Sequence, residues 1–355
     1  MKQSTKDVIV IGGGQSALAV GYYLRKTNLD YVVLDQQKRT GGNWLHYWES
    51  LRLFSPAQWS SLPGVLMPGG SDYYPSRDDT IRYLEAYETW YQLPIERSVT
   101  VETVRQREGK FVLATSRGEY RSRAIISATG SFQKPYIPPF PGQANFQGST
   151  IHSADYRTSE PFQDKRVLVV GEGNSGAQIL AEVSQVAQAT TWVTLNEPQF
   201  LPDEVTGRDL FDYASAAYQA RKQGKTYTPP SLGNIVMVPS VRQARQRGVY
   251  QAVRPFVEFT SLGVRCSDGR EETVDAVIFC TGFHPALDHL NSLGIVESNG
   301  KVATQGTKAE KVDGLWLVGY GSWTGFASAT LIGVGRSAKQ TASEVSAYLN
   351  NGLRY

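Results

Sequence analysis

The sequence predicts an α/β protein built from two Rossmann-like, three-layer domains, with one domain inserted into the other. Two observations predict this class. A glycine-rich turn follows a short apolar run near the start of the chain, and a similar turn follows another apolar run at Gly171. Each turn is followed by a helical pattern and then by a further strand-like run. Two strand–turn–helix–strand units of this kind are typical of dinucleotide-binding domains.

The first unit lies at the start of the chain. The run DVIVI at 7–11 is apolar and rich in β-branched residues, so it predicts a strand. QSALAVGYYLRK at 15–26 has the apolar spacing of a helix. YVVLD at 31–35 predicts a second strand that ends on an acid, Asp35.

The second unit repeats this plan. RVLVV at 166–170 predicts a strand, and GEGNSG at 171–176 forms the turn. AQILAEVSQVAQ at 177–188 predicts the helix, and TTWVTL at 190–195 predicts the strand that follows it. The two units therefore share one architecture.

Further strands are predicted after each unit. AIISATG at 124–130 and AVIFCTG at 276–282 are both apolar runs that end in Thr-Gly. LWLVGYG at 315–321 predicts one more strand and turn, and apolar positions at helical spacing predict a long helix over 327–349. Each Thr-Gly strand is expected to return the chain to the sheet of its own unit.

The domain organisation follows from these elements. Prolines and glycines at 133–143 (QKPYIPPFPGQ) mark a boundary between domains. We expect a first domain made of 1–150 and 285–355. Residues 151–284 form the second domain, inserted into the first.

Composition excludes several other classes of protein. The 355 residues carry a formal net charge of +3, which does not indicate nucleic-acid binding, and no apolar run is long enough for a membrane span. The start of the chain runs directly into a strand and leaves no room for a signal peptide, so we expect a cytoplasmic protein. The four histidines show no metal-ligand spacing, and Cys266 and Cys280 are expected to be buried free thiols.

The first glycine turn has the residues needed to hold a pyrophosphate. Glycines at the start of a helix let phosphates approach backbone N–H groups, and the helix dipole favours negative charge there. An acid at the end of the second strand accepts hydrogen bonds from a ribose. The predicted site consists of Gly12, Gly14, Gln15, Ser16, Ala17 and Asp35. The alternative is a glycine-rich turn without a ligand.

The second turn predicts a second, different dinucleotide. Its strand ends in Asn196 and Glu197, with no acid at the first of these positions. A flavin paired with a nicotinamide, with hydride passing between them, is the simplest combination of two unlike dinucleotides. The predicted nicotinamide site consists of Gly171, Gly173, Asn174, Ser175, Gly176, Asn196 and Glu197. The alternative is a decayed duplicate that serves only as a scaffold.

A longer motif lies between the two units. The segment FQGSTIHSADY at 146–156 resembles the FxGxxxHxxxY fingerprint of flavin-containing monooxygenases. All four motif positions are filled, by Phe146, Gly148, His152 and Tyr156. Related Baeyer–Villiger monooxygenases typically have Trp at the last position. The resemblance is closest to the short bacterial members of this class B flavoprotein monooxygenase family.

Other segments extend the resemblance over nearly the whole chain. GGNW at 41–44 is similar to the flavin-contacting GGxW segment of the family, and ATGSFQKPYIP at 128–138 is similar to its ATG linker. CTGFHP at 280–285 is similar to the second Thr-Gly segment. The resemblance implies further FAD contacts, namely Gly42, Asn43, Trp44, Thr129 and Gly130. We add Gly319, the turn glycine that follows the run LWLV. It also adds Thr281 and Gly282 to the NAD(P) site. Core packing for Trp44 and a turn role for Asn43 are the alternatives.

The resemblance also implies the chemistry. In this family NADPH or NADH reduces FAD, and reduced FAD reacts with O2 to give a C4a-hydroperoxyflavin. A small soft nucleophile such as a thioether or an amine then takes one oxygen atom, and Baeyer–Villiger oxidation of a ketone is a further expectation. The cofactor performs the difficult chemistry, while the protein orients the reactants and excludes water. A homodimer is the assembly that the family suggests.

The catalytic residue is left open. Family members often have an Asn after GGxW, whereas the segment at 52–64 (RLFSPAQWSSLPG) has none. Gln58 and Ser60 are the candidate substitutes. His152 is either a direct participant, since histidine is a frequent general base, or a residue that couples the domains through backbone hydrogen bonds.

The strand end also suggests which nicotinamide is used. NADP carries a 2′-phosphate that favours a guanidinium partner, yet TLNEPQF at 194–200 contains no cation, and the first one downstream is Arg208. Glu197 would repel a phosphate and bind an unmodified ribose. We therefore hypothesise that NADH is accepted as well as NADPH. A plain FAD/NAD(P)H reductase and a non-catalytic dinucleotide sensor are the rival functions.

Overall fold

The chain forms two compact units. The computed structural model describes residues 4–203, 223–225 and 234–351, together with positions 209, 212, 216 and 220. The first unit comprises Met1–Leu45, Ala57–Lys134 and His284–Tyr355, and the second comprises His46–Pro56 and Pro135–Phe283. The division differs from the predicted one, because residues 46–56 and 135–150 belong to the second unit.

The described residues include strands, α-helices and short 3₁₀ helices. The strands are β1 Lys6–Ile11, β2 Tyr31–Asp35, β3 Ile95–Arg97, β4 Val101–Arg107, β5 Lys110–Thr115, β6 Gly118–Ser127, β7 Ser149–His152, β8 Arg166–Val170, β9 Ala189–Val193, β10 Ala252–Val253, β11 Glu258–Phe259, β12 Gly263–Arg265, β13 Glu271–Thr273, β14 Ala276–Phe279, β15 Thr304–Gln305, β16 Lys308–Ala309 and β17 Leu315–Leu317. The α-helices are α1 Gln15–Leu24, α2 Arg77–Tyr91, α3 Asn174–Val183, α4 Pro239–Gln246 and α5 Val334–Asn351. Single 3₁₀ turns occupy Gly42–His46, Ala57–Trp59, Gln143–Asn145, Glu160–Phe162, Asp288–Leu293 and Ser322–Thr324.

The first unit is built on a nine-stranded sheet. Its main path runs β15-β16-β17-β6-β1-β2-β3, and β17, β6, β1, β2 and β3 pair in parallel. Apart from Lys6 and Asp7, the residues of β1 and β2 are buried, as expected for strands covered on both faces. Because parallel strands end at the same edge, the residues after β1, β6 and β17 lie side by side.

The second unit has its own parallel sheet. The order is β10-β9-β8-β14-β7, and every pairing in it is parallel. The predicted α/β class is therefore confirmed, with one parallel sheet in each unit. The predicted boundary at 150/151 falls inside β7, since the segment Ser149–His152 pairs with β14 in the second sheet.

The fingerprint segment packs within this second unit. The Phe146 ring lies 5.1 Å from that of Phe259, in a core that also contains Phe140 and Phe256. A Cβ atom on Gly148 would lie 2.3 Å from the Phe146 ring and 2.6 Å from the carbonyl oxygen of Asp275. Glycine is required at 148 because the aromatic ring and the backbone fill the space that a side chain would need.

The last helix begins later than the sequence predicts. The prediction was 327–349, whereas α5 covers Val334–Asn351. Ala327 has a φ of 56°, in the left-handed region that a right-handed helix cannot contain. Backbone hydrogen bonds from Thr330 to Ala327 and from Val334 to Thr330 form turns there instead. No helix among the described residues is long and apolar enough to cross a membrane.

Candidate cofactor sites

The first glycine turn leaves an open helix terminus. Gly12 has a φ of 99°, and a Cβ atom there would lie 2.7 Å from the carbonyl oxygen of Ala128. At Gly14 a Cβ atom would meet only the Cα of Gly42, at 4.0 Å. Gly14 caps α1 without any side-chain hydrogen bond, so the first N–H groups of the helix are available to a ligand. Ala17, at the third position, is fully buried. The turn fits a pyrophosphate.

The GGNW segment meets this turn. A Cβ atom on Gly42, where φ is 54°, would lie 2.7 Å from the Cα of Gly14, so the two backbones are in contact. The indole Nε1 of Trp44 donates to Oε1 of Gln15 at 2.9 Å, and Nε2 of Gln15 donates to the carbonyl of Ala329 at 2.8 Å. Gln15 therefore holds Trp44 in place. The structure thus brings together residues that the sequence assigned to one site from two separate segments.

The Thr-Gly segment and the last turn complete this edge. The Thr129 hydroxyl donates to the carbonyl of Ala286 at 2.6 Å, and Gly130 has a φ of 67°. The amide Nδ2 of Asn43 lies 3.4 Å from the position of a Cβ on Gly130. Gly319 has a φ of 91°, and Ser16 at the start of α1 occupies the space beside it, since its Oγ would lie 2.0 Å from a Cβ.

A buried polar network beneath this edge was not predicted. Ser127 Oγ lies 3.0 Å from His289 Nε2 and 2.6 Å from the Tyr320 hydroxyl, which lies 2.7 Å from Thr129 Oγ1. Burial lowers the pKa of His289 to about 4, against the opposing charge of Asp288, so the imidazole is neutral. The network anchors the Thr-Gly segment. Nothing in the spacing of these residues along the chain indicates that they meet.

The acid at the end of β2 is more enclosed than the sequence suggests. Asp35 is 3% exposed and forms an ion pair with Arg97, which also pairs with Glu88. Its Oδ1 accepts the N–H of Gln37 at 3.2 Å. Burial raises the pKa of Asp35, and the Gln37 and Arg97 hydrogen bonds oppose that shift. A carboxylate has about four lone-pair directions, so acceptor capacity for a ribose remains.

Arg97 is the residue that sequence reasoning missed at this site. It lies directly opposite Asp35 in the pairing of β2 with β3. A strand of three residues, Ile95–Arg97, gives no periodic signal, and its pairing partner is distant along the chain.

The two candidate catalytic residues differ in exposure. Ser60 is 1% exposed, whereas Gln58 is half-buried in the 3₁₀ turn Ala57–Trp59. The Gln58 N–H donates to the carbonyl of Gly70 at 3.2 Å, and that of Ser60 donates to Ala57 at 2.9 Å. The side chain of Gln58 is thus the more accessible of the two.

The second glycine turn has the same geometry as the first. Gly171 has a φ of 134°, and its Cβ would lie 2.3 Å from the carbonyl oxygen of Cys280. A Cβ on Gly173 would meet nothing within 4 Å, and Gly173 caps α3 without a side-chain hydrogen bond. On Gly176 a Cβ would lie 2.3 Å from the carbonyl oxygen of Gly171, where helix packs against turn. This turn also fits a pyrophosphate.

Side chains next to this turn form hydrogen bonds with nearby backbone groups. Asn174 donates through Nδ2 to the carbonyl of Asn234 at 3.0 Å, and its Oδ1 accepts the N–H of Val236 at 2.9 Å. Ser175 follows it and is partly buried. The Thr281 hydroxyl donates to the carbonyl of Tyr136, while Gly282 has a φ of 86°.

The end of β9 carries a cation that the sequence did not predict. Nη2 of Arg254 donates to Oε2 of Glu197 at 2.9 Å, and Nη1 donates to the carbonyl of Leu195 at 3.2 Å. Arg254 follows β10, which pairs in parallel with β9 and so ends at the same edge. The segment TLNEPQF itself contains no cation, but the fold brings one beside it from a distant part of the chain. Arg208, the first cation downstream in the sequence, lies outside the described residues.

The second acid of this edge belongs to the glycine turn itself. Glu172 accepts hydrogen bonds from the backbone N and from Nδ2 of Asn196, both at 2.8 Å. Partial burial acts to raise the pKa of Glu172, but the hydrogen bonds from Asn196 outweigh it and the pKa is lowered. Glu172 is therefore ionised, and it orients the side chain of Asn196.

His152 binds backbone at the end of β7. Its Nδ1 accepts the N–H of Ala154 at 3.1 Å, and its ring meets that of Phe283 at 4.8 Å. Burial lowers the pKa of His152, against the opposing effects of Gly282 and Asp155. The neutral ring therefore carries its proton on Nε2. These contacts fit the backbone-binding role considered for His152.

Two expectations concern sulfur and metals. Cys266 and Cys280 are free and partly buried as residues, and the thiol group of Cys280 is itself buried. Burial raises the pKa of the Cys280 thiol to about 12, which keeps it protonated. Within the described ranges, no three His, Cys, Asp or Glu side chains are placed to share a metal ion.

Comparison with known proteins identifies relatives over the full chain. Residues 9–206 match the family model described as pyridine nucleotide-disulphide oxidoreductase. The structure of a flavin-containing monooxygenase from Stenotrophomonas maltophilia is 46% identical, with a TM-score of 0.89 over 98% of this chain and 99% of the other. An uncharacterized CzcO-like oxidoreductase of Geobacillus kaustophilus is 31% identical over 97% of this chain and 99% of its own. The indole-3-pyruvate monooxygenase YUCCA1 of Oryza sativa subsp. japonica is 26% identical over 95% and 90%.

Proposed function

The chain belongs to the pyridine nucleotide-disulphide oxidoreductase family and, within it, to the flavin-containing monooxygenases, and we propose that it oxygenates small soft nucleophiles. Its cofactors are FAD and NAD(P)H. Thioethers and amines are the proposed substrates, and O2 is the proposed source of the oxygen atom.

One observation supports the proposal most strongly. Both glycine turns leave a helix N-terminus without a side-chain cap, and the second glycine of each, Gly14 and Gly173, borders open space. Two dinucleotides can therefore bind through pyrophosphates in one chain. We assign FAD to the first turn because the GGNW and Thr-Gly segments meet there, and the nicotinamide to the second.

When bound, FAD supplies the redox chemistry with O2, and the residues of this chain position it. The N-terminus of α1 holds the pyrophosphate, and Asp35 accepts hydrogen bonds from the ribose. Gln15 fixes the indole of Trp44 beside the turn. Gln58, with an accessible amide, is the candidate donor to the reacting oxygen atom. The buried network under Thr129 keeps this segment rigid and excludes water beneath it.

The test is oxygen transfer with isotopically heavy O2. Purified holoenzyme is given NADPH and, separately, an aryl methyl thioether, a tertiary amine and a small cyclic ketone. We expect sulfoxide and N-oxide products that carry one heavy oxygen atom, as mass spectrometry would show. Oxidation of NADPH that yields only hydrogen peroxide in every case would identify a reductase. Binding of FAD without substrate-linked turnover would identify a sensor.

Ketone oxidation is the second candidate. The rice relative is named as an indole-3-pyruvate monooxygenase, and its substrate in that name is a keto acid. The cyclic ketone in the same experiment distinguishes this activity, since its lactone product carries the heavy atom.

A homodimeric state and a cytoplasmic location are also proposed, and light scattering of the purified protein tests the first.

We further propose that NADH serves as well as NADPH. Two carboxylates, Glu172 and Glu197, lie at the edge where the coenzyme ribose is expected, and the nearby Arg254 is paired with one of them. Steady-state kcat/KM values for both coenzymes test this. We expect a ratio below about a hundredfold, while a thousandfold preference for NADPH, about 4 kcal/mol, would contradict the proposal.

A further inference from the structure

Three charged side chains meet at the carboxyl edge of the second sheet, beside the turn GEGNSG. Val253 pairs with Val193, and the N–H of Thr194 donates to the carbonyl of Val253 at 3.0 Å, so Arg254 lies alongside the end of β9. Its guanidinium reaches Glu197 and the carbonyls of Thr194 and Leu195, at 2.9, 3.5 and 3.2 Å. The third charge is that of Glu172 in the turn.

The ion pair of this cluster is open to solvent. The side chains of Arg254 and Glu197 are 54% and 74% exposed. An exposed pair of this kind contributes little to stability and exchanges readily with other partners. Glu172 has a different partner, because both of its carboxylate oxygens accept hydrogen bonds from Asn196. The guanidinium is thus held by one weakly bound carboxylate and by the backbone carbonyls of the two residues that follow β9.

A phosphate dianion is a stronger partner for this guanidinium than an exposed carboxylate is. Arginine forms forked, charge-assisted hydrogen bonds with phosphate oxygens, and the planar guanidinium is already oriented by Leu195 and Thr194. The Glu197 carboxylate opposes the same ligand by repulsion, so it lowers affinity for a 2′-phosphate, whereas a neutral 2′-hydroxyl meets no such repulsion.

We propose that Arg254 is the residue that recognises the 2′-phosphate of NADPH, and that Glu197 competes with this phosphate for the guanidinium. With NADH, the Glu197–Arg254 pair stays closed. With NADPH, the phosphate replaces the carboxylate on Nη2 and Glu197 turns to solvent. The inference depends on the proposed function in one respect, the assignment of the nicotinamide coenzyme to the second turn. It explains how one site accepts both coenzymes.

The test measures binding rather than turnover. The FAD-loaded enzyme is titrated in a calorimeter with adenosine 2′,5′-bisphosphate and with AMP, which differ only in the 2′-phosphate. We expect Arg254→Met to weaken binding of the bisphosphate at least about tenfold and to leave AMP within about twofold. We expect Glu197→Gln to strengthen binding of the bisphosphate about tenfold, again without a change for AMP.

The double variant decides whether the two residues act as a pair. In Glu197→Gln combined with Arg254→Met, the gain from the glutamine should shrink to less than about threefold, because the freed guanidinium is absent. Arg254→Lys keeps the charge without the fork, and an intermediate affinity is expected. Arg270→Met removes another exposed arginine, paired with Asp268 in the β12–β13 turn, and serves as the matched control with no effect on either ligand.

Two results would overturn the inference. One is bisphosphate affinity that is unchanged in both Arg254→Met and Arg254→Lys, in protein that retains its FAD. The other is a gain in Glu197→Gln that is undiminished in the double variant. The kcat/KM ratio for the two coenzymes is measured separately, so a strong NADPH preference contradicts dual coenzyme use while the binding data still decide the role of Arg254.

Discussion

The two glycine turns have similar backbone geometry, but the charged side chains beside them differ in their exposure to solvent. In the first, the side chains of Asp35, Arg97 and Glu88 are 4%, 17% and 21% exposed and form one mostly buried network. In the second, Glu197 and Arg254 are 74% and 54% exposed. The turn alone provides a place for a pyrophosphate. The charged pair at the end of the strand that follows each turn determines how strongly the site selects the remaining parts of the ligand.

This difference indicates different ways of holding a cofactor. A buried charge network is rigid, because removing either partner leaves the other uncompensated in a poorly solvated place. An exposed pair opens at little cost. We infer that the first turn is built for a cofactor that stays bound, and the second for a coenzyme that binds and leaves in each cycle.

The largest expected effect is on the free energy of unfolding, and it distinguishes Arg97 from Arg254. Arg97→Met should lower the free energy of unfolding by about 3 kcal/mol, because it leaves the carboxylates of Asp35 and Glu88 without a buried counter-charge. Arg254→Met should lower it by less than about 1 kcal/mol. Urea unfolding followed by circular dichroism measures both. Equal losses in the two variants would show that the surroundings of the two turns do not differ as described.

A second prediction separates glycines that the fold needs from those that the ligand needs. Gly12→Ala and Gly171→Ala should each lower the free energy of unfolding by about 2 kcal/mol or more, since a Cβ would overlap backbone atoms at a positive φ. Gly14→Ala and Gly173→Ala should unfold like the natural protein, because a Cβ on Gly14 would meet only the Cα of Gly42, at 4.0 Å, and one on Gly173 would meet nothing within 4 Å.

Ligand binding should show the complementary pattern. We expect Gly14→Ala to lose FAD affinity at least about tenfold, because the added methyl group takes the place of a phosphate. Gly173→Ala should keep its FAD and lose NADP affinity by a similar factor. FAD content of the purified variants and calorimetric titration with NADP provide the measurements. Normal FAD content in the Gly14→Ala protein would contradict the assignment of FAD to the first turn.

The last expected effect concerns the buried histidine of the first unit. The pKa of His289 is lowered to about 4 by burial, below the value near 6.5 of an unfolded chain. The unfolded state therefore binds a proton that the folded state does not, and stability contributed above pH 6.5 is lost as pH falls toward 4. We expect a loss of about 2 kcal/mol between pH 7 and pH 5.

A single substitution isolates this histidine. His289→Asn should show a shallower decrease of unfolding free energy than the natural protein over the same pH interval. Urea unfolding at several pH values provides the comparison. An identical pH dependence in His289→Asn and the natural protein would show that this imidazole is not held neutral.

Much of the fold was predictable because its signals are local. The runs DVIVI, YVVLD and RVLVV became β1, β2 and β8 with boundaries shifted by at most one residue. Each consists of consecutive residues with one preference, and each is bounded by a glycine turn or a polar residue. The first helix begins at Gln15 as predicted, whereas the second begins at Asn174, inside the glycine turn and before the predicted start at 177.

Elements without a local signal were missed or misplaced. The strands β3 and β10 contain three and two residues, too few for any periodicity, yet they bring Arg97 and Arg254 to the two sites. The boundary of the second unit was placed inside β7 because the pairing of β7 with β14 joins residues far apart in the chain. Proximity of this kind is a property of the sheet and not of any segment.

The sequence by itself determined the class of the protein, the two turns that can hold dinucleotides and the family to which the chain belongs. These depend on residues that are adjacent or regularly spaced, whose backbone preferences act within a few residues. Only the tertiary structure decided the electrostatics of each site, because parallel strands bring their carboxyl ends together from distant parts of the chain. That is why Glu197 was visible in the sequence and its partner Arg254 was not.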